Sequence, residues 1–326
     1  MTTTHPIRRG RGRAKATVNL IGQIRSILEQ IQPCSVRAVA YQLFNRKLIP
    51  SMNTQNVAKV SRLLVIARED GTIPWEWIVD PSRESEAVAT WADPPAFARD
   101  VQASYRRNKW DDQPKHMIVL SEKGTVAGTL RPILDEYEVP FQVLHGWSGA
   151  TPIHDLAQAN LARHQDTIVL YVGDFDPSGM YMSERDLRHR IARYSSDAPD
   201  NRNVSDEWAV QALRDVRLEI RRIALTEADT DSLGPATSFN AAEKRNDPRY
   251  AWFVSQYGDR CWELDAMSPA VLRGRVKAAI VGELDLESWE RYVAVENLER
   301  EVIAQTCATW SSILQQDQKS PIGGGA

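Results

Sequence analysis

Two short apolar runs in the middle of the chain each end in acid, and this pairing restricts the fold more than any other feature. The first is His116-Met-Ile-Val-Leu-Ser-Glu122-Lys-Gly124, and the second is Thr167-Ile-Val-Leu-Tyr-Val-Gly173-Asp174-Phe-Asp176-Pro177-Ser-Gly179. Between them lie an amphipathic stretch from Val126 to Tyr137, a third apolar run from Val139 to Leu144, and a glycine-rich turn at His145-Gly146. Strand, helix, strand, turn, helix, strand is the order of a parallel α/β unit. Parallel strands are joined by crossovers, so their carboxyl ends share one edge, and ligands of open α/β sheets bind outside that edge. Glu122, Asp174 and Asp176 are therefore expected to converge there.

Side chains alternate along a strand, so Asp174 and Asp176 face the same way if the strand continues through them. Neighbouring carboxylates repel, and a third adds to the repulsion unless a cation or a proton compensates. Hard oxygen ligands select Mg2+, Mn2+ or Ca2+ over zinc, and Mg2+ commonly combines one or two carboxylates with substrate phosphate. Such a site suits phosphoryl transfer. Asp176-Pro177-Ser178-Gly179 also satisfies a type I turn, and Asp176 equally caps a helix that opens at Pro177. Neither of these readings accounts for Asp174 or for the acid that ends the earlier strand. A further strand within residues 216–226 ends in Glu227, Asp229 and Asp231, either a supporting carboxylate or a solvated loop.

Ahead of this unit the chain reads as a small helical domain. Val18, Ile21, Ile24, Ile27, Leu28 and Ile31 recur at intervals of three and four, predicting a helix over 17–32 that Pro33 stops. Ser35 is placed to cap a second helix and Asn53 or Thr54 a third, and residues 72–80 read as a strand or short β ribbon. Three helices and a ribbon form a winged helix-turn-helix, whose helix after the turn enters the major groove of double-stranded DNA. That helix offers Asn56, Lys59 and Arg62. Winged helices also bind proteins; phosphate at the acid edge favours DNA. On the second helix Val36, Val39, Ala40, Leu43 and Phe44 share one side, while Tyr41 lies away from them and one turn beyond Arg37. A guanidinium that lowers the phenol pKa would make Tyr41 a nucleophile toward phosphate. The alternative is a partly exposed tyrosine that contacts DNA or another helix.

Charge is distributed unevenly. The net charge is −3, yet Arg8, Arg9, Arg11, Arg13 and Lys15 stand together without an acid. Such an arm suits a phosphate backbone, or is a solvated tail. The three cysteines are scattered and the six histidines are unpaired, which argues against zinc and fits reduced thiols in a cytoplasmic protein. No secretory signal is legible, and no apolar run reaches the ~18 residues of a membrane span. The chain divides into a basic, disordered arm at 1–16, a winged-helix domain at 17–82, a linker at 83–95, the sheet domain with its C-terminal helices at 96–316, and a disordered tail at 317–326.

Glu122-Lys123-Gly124 after one strand and Gly-Asp174-Phe-Asp176-Pro-Ser-Gly179 after another resemble the Toprim domain. The resemblance is to the version in the A subunit of topoisomerase VI and its meiotic double-strand-break relatives. It implies a Rossmann-like parallel sheet in which Glu122, Asp174 and Asp176 hold Mg2+, or Mn2+ in its place, with Lys123 beside the DNA. Arg37-Ala-Val-Ala40-Tyr41 resembles that family's Arg-x-x-Tyr-Tyr, where the second tyrosine is the nucleophile; here Ala40 replaces the first. The likeness covers most of residues 17 to about 230. It implies Mg-dependent DNA cleavage of the type IIB topoisomerase kind, with Tyr41 attacking and Arg37 assisting. It further implies a homodimer in which the tyrosine of one subunit meets the metal of the other, and a separate ATPase B subunit, since no P-loop is present. Two other activities fit the same residues. One is a hydrolytic Toprim nuclease that uses water, as in defence or mobile-element systems, and the other is a DNA-binding regulator that does not cut.

Overall fold

A computed structural model describes residues 15–78, 88–144, 150–196 and 205–319. The arm with Arg8, Arg9 and Arg11, residues 79–87 with the first part of the linker, the turn at 145–149, residues 197–204 and the last seven residues of the tail lie outside the described residues.

The chain begins with three helices, α1 (Lys15–Ile31), α2 (Val36–Asn45) and α3 (Thr54–Glu69). The three-and-four spacing buries Ile24, Ile27 and Leu28 of α1 against Val39 and Leu43 of α2 and Val60 and Leu64 of α3. Ser35 Oγ accepts the Ala38 N–H at 3.1 Å, and Asn53 Oδ1 accepts the Asn56 N–H at 2.9 Å, so each cap satisfies a donor the helix leaves open. The expected ribbon does not form within residues 72–78. Pro74 leads into one 3-10 turn, Trp75–Trp77, and Ile78 then makes a single parallel bridge to Cys34. Proline has no N–H for a ladder, and the bundle buries only Ile73 and Ile78 of this stretch.

After α4 (Pro94–Ser104) come β1 (Lys115–Ser121), α5 (Val126–Tyr137), β2 (Phe141–Val143), α6 (Ala150–Leu161) and β3 (Asp166–Val172). Then follow α7 (Pro177–Tyr181), a π-helical turn (Met182–Asp186), α8 (Leu187–Tyr194), α9 (Asp206–Asp215) and β4 (Leu218–Ala224). The four strands are parallel, in the order β2-β1-β3-β4. Both faces are covered, which is why the central strands read as unbroken apolar runs. Met117, Val119, Ile168 and Leu170 pack with α5, while Ile118, Leu120, Val169 and Tyr171 pack with α6, α8 and α9. The mixed α/β class and the parallel sheet read from sequence are what the protein has.

The remaining chain starts at the carboxyl edge of this sheet, passes along α5 and ends beside the amino end of β1 and α4. It contributes α10 (Glu227–Leu233), β5 (Phe239–Asn240), α11 (Tyr250–Tyr257), β6 (Arg260–Cys261), α12 (Pro269–Val281) and α13 (Leu286–Lys319). β5 and β6 pair antiparallel, and Trp262 bridges Phe175 just beyond β3. The third acidic run lies on α10, where Glu227 and Asp231 are exposed to solvent and Asp229 is committed elsewhere. Asp229 closes a capping box with Thr226 and takes two hydrogen bonds of 2.7 Å from Arg275. No helix among the described residues is long and apolar enough to cross a membrane.

Candidate active site at the sheet edge

The chain leaves β1 toward β2 on one side and leaves β3 toward β4 on the other. The crevice between the carboxyl ends of β1 and β3 is therefore the switch point of the sheet. Ser121 is level with Val172, so Glu122 and Gly173 step out of the sheet together. Phe175 turns into the core against Phe253, Tyr257 and Trp262. On either side of it, Asp174 is 5% and Asp176 1% exposed, so two of the three acids are withdrawn from water.

Each carboxylate is fixed by a different device. Asp174 Oδ1 accepts the Leu264 N–H at 2.7 Å and lies 2.8 Å from Lys123 Nζ. Asp176 caps α7, its Oδ1 taking the Gly179 N–H at 2.7 Å, while Lys244 donates to its Oδ2. Of the two local readings of Asp176-Pro177-Ser178-Gly179, the helix cap is thus the one the protein uses. Glu122 Oε2 accepts a hydrogen bond from Ser178 Oγ at 3.3 Å. Gly179 closes the cluster. A Cβ there would come within 2.3 Å of the Asp174 carbonyl oxygen and 3.2 Å of Glu122 Oε1, so only glycine lets these backbones and the acid approach. Beneath the turn the Arg222 guanidinium donates to the carbonyls of Gly173, Asp174, Gly179 and Leu225.

The charges balance unequally. Burial, then Asp176 and Asp174, push the Glu122 carboxyl up to about 7. Burial raises Asp174 above the usual range despite Lys123. Burial works against the charge of Lys123 and Lys244, but the acids around each, led by Asp174 at the first and Asp176 at the second, together outweigh it, so both ammonium groups hold their protons more tightly than an ordinary lysine. Among the described residues, two ammonium groups thus face three carboxylates, and Glu122 is the one without its own cation.

Tyr41 does not behave as its helix position suggests. It lies outside the apolar core of the bundle, yet it is only 4% exposed. The turn from Glu263 to Ala266 covers it, and its hydroxyl donates to Glu263 Oε2 at 3.3 Å. Burial, then Glu263, raise the phenol pKa, and Arg37 beside the ring does not reverse this. Arg37 acts on the phenol in the expected, lowering direction, but it shares its Nε with Glu263 at 2.5 Å, and burial and Glu263 prevail. Asp265, two residues on, takes the Ser35 hydroxyl at 3.1 Å and lies 3.6 Å from Lys123 Nζ. A charged network therefore runs from Tyr41 and Arg37 through Glu263 and Asp265 to Lys123 and Asp174. A cleft of about 520 Å³ opens over it, walled by Arg37, Tyr41, Lys244 and Glu263 among others.

The structure brings Glu122, Lys123, Asp174 and Asp176 together and sets Arg37 and Tyr41 in the adjoining network. It leaves Lys59 and Arg62 exposed on α3. Asn56 is occupied, its side-chain amide donating at 3.0 Å to Ser51 O and Oγ. Sequence reasoning missed Lys244, Arg222, Glu263 and Asp265. Arg222 stands in an otherwise apolar strand end, a signal for a buried ion; Lys244 sits in a charged surface-like stretch and gave none.

Among the described residues, no group of three or more His, Cys, Asp or Glu has its donors set to grip a metal ion. Lysine ammonium groups hold Asp174 and Asp176 instead. The donor chemistry nonetheless fits a hard divalent cation: three carboxylates, no nitrogen or sulfur ligand, at the switch point of the sheet. The Tyr171 hydroxyl, fully buried and within electrostatic reach of all three acids, has no hydrogen-bond partner among the described residues. A buried hydroxyl left in this way commonly answers to a bound water or ion. No family model matches the chain, and neither a curated protein nor a solved structure matches it.

Proposed function

We propose that this protein cleaves DNA strands with the help of Mg2+ or Mn2+ held by Glu122, Asp174 and Asp176. The reading rests on one observation, the meeting of three buried or half-buried carboxylates with two lysines at the sheet's switch point. In this reading the parallel sheet is a Toprim domain and the three N-terminal helices are a winged helix, as the resemblance to the topoisomerase VI A subunit implies. A bound cation stabilises the charge that develops on the attacking and leaving oxygens of a phosphodiester.

The chain's own groups have distinct tasks. Lys59 and Arg62 meet backbone phosphates and add salt-dependent affinity for duplex DNA. Lys123 offsets part of the burial that raises Asp174 and holds its carboxylate in place. Tyr41 Oη forms the new bond to phosphorus, its proton passes to the Glu263 carboxylate 3.3 Å away, and the deoxyribose oxygen leaves. In the topoisomerase VI arrangement the tyrosine and the acids come from two subunits, so the acting form is a homodimer, with ATPase function on another chain.

A hydrolytic route has its own support. Tyr41 is buried and its phenol pKa is raised, both of which weaken it as a nucleophile and favour water. One assay separates the two. Supercoiled DNA is incubated with the full chain and Mg2+, denatured, and scored for covalent protein–DNA adducts. Transesterification gives adducts that vanish in Tyr41→Phe, whereas full cutting by Tyr41→Phe without adducts assigns the reaction to water. Intact DNA in every sample, with or without a co-encoded partner, removes the cleavage proposal altogether.

A further inference from the structure

The two lysines on the acid edge are not equivalent. Lys123 is locked between Asp174 at 2.8 Å and Asp265 at 3.6 Å, with 26% of its side chain exposed. Lys244 contacts one carboxylate oxygen, keeps 36% of its side chain exposed and forms part of the cleft wall that Tyr41 and Arg37 also line. It ends a 3-10 turn, Ala241–Lys244, that Asn240 caps through the Ala242 N–H at 2.8 Å. Its ammonium also lies 5.5 Å from the centre of the Phe239 ring, a second place for a cation on the cleft side.

Asp176 does not need Lys244 for its position. Its Oδ1 is fixed by the α7 cap, and Lys244 takes only Oδ2. The lysine's contribution is charge: a carboxylate 1% exposed, beside two others, is costly without a cation. A lysine on a flexible four-carbon stem supplies that charge without fixed geometry and is able to give the oxygen up.

We propose that Lys244 is a tethered counter-ion, which neutralises Asp176 in the unloaded protein and turns into the cleft to contact a substrate phosphate once a divalent cation takes its place. This rests on the cation site proposed above and adds the order of events: cation in, lysine out, phosphate held. The chemistry of the occupant is a phosphodiester of the DNA backbone, whichever group attacks it.

The test compares the full chain with Lys244→Met, which keeps length and loses charge, and with Lys244→Gln as a second variant should the first not fold. Mn2+ binding without DNA is followed by the loss of the free-ion EPR signal. Removing the competing ammonium is expected to tighten binding roughly fivefold, the size of one close charge pair in a partly screened site. Affinity for short duplex DNA is then measured against salt, with Ca2+ and without any divalent cation. The slope of log affinity against log salt is expected to shrink by about 0.9 in Ca2+, one lost phosphate contact, and to stay unchanged without Ca2+. A slope unaltered in both conditions, or altered in both alike, overturns the proposal and leaves Lys244 a fixed ion pair or a permanent DNA contact. Asp174→Asn guards the underlying reading: if Mn2+ binds that variant as it binds the wild type, the cation site itself is wrong, whatever Lys244 does.

Discussion

The acid edge and the covered face of Tyr41 lie at two ends of one charged network, and their origins in the sequence differ. At the edge the acids themselves stand at legible strand ends and part of what fixes them is local, although Lys244, Leu264 and Arg222 arrive from farther along the chain. Asp176 caps a helix three residues on, Gly179 packs against the acid turn that precedes it, and Lys123 follows Glu122 directly. At Tyr41 the determining neighbour is Glu263, 222 positions away. Periodicity correctly sets Tyr41 off the apolar side of α2, since the bundle core excludes it. What covers that side is a turn from the far end of the chain, and that turn reverses the electrostatic expectation. A helix face is legible in a sequence; the identity of the body that covers it is not.

The comparison breaks most readily at Gly179. Gly179→Ala is expected to push the Asp174 carbonyl out of place and cost about 3 kcal/mol of stability by denaturant unfolding, at the upper end of overpacking. Gly124→Ala is the control. Its Cβ would meet only the Val143 side chain at 3.9 Å, so its cost is expected to be a small fraction of that. Equal costs would mean that the acid turn is not the tight local unit described.

A second test uses the unpaired acid. Glu122 ionises near 7 in the folded chain and near 4.5 when unfolded, so between these values the folded state holds more protons. Stability is therefore expected to fall as pH rises across that window and to remain lowered above it. Glu122→Gln removes the penalty, raising stability at pH 8 by about 2 kcal/mol relative to the wild type, with little change at pH 4. Thermal melts at both pH values check this, and a gain of equal size at both would show that Glu122 is not held protonated by its neighbours.

The smallest effect sharpens the remote side. The Tyr41–Glu263 hydrogen bond is expected to show about 1 kcal/mol of coupling in a double-mutant cycle of Tyr41→Phe and Glu263→Gln. Zero coupling would mean that the turn at 263–266 covers Tyr41 without engaging it.

Much of the fold was legible because its signals are short-range. The strand–helix alternation, the caps at Ser35 and Asn53 and the helix opening at Pro177 depend on residues within a turn of one another. Within 72–78 the ribbon does not form because Pro74 favours the turn that does, although Trp75, Trp77 and Ile78 carry strand propensity. At the site, the acids announced themselves through their strand ends. Lys244 and Asp265 did not, because they arrive on two irregular turns, and no periodicity relates such turns to a sheet edge. Arg222 is a different case: its place at an apolar strand end hints at a buried ion, but nothing in the sequence says that its guanidinium ties four carbonyls.

The claim on which the rest depends is that Glu122, Asp174 and Asp176 together take a divalent cation. The most direct measurement is a Mn2+ titration of the full chain, read by EPR, for the wild type and Asp174→Asn side by side. Saturable binding that disappears with the substitution is the expected result. Binding that is indifferent to Asp174, or no binding by the wild type at any accessible concentration, would contradict the account.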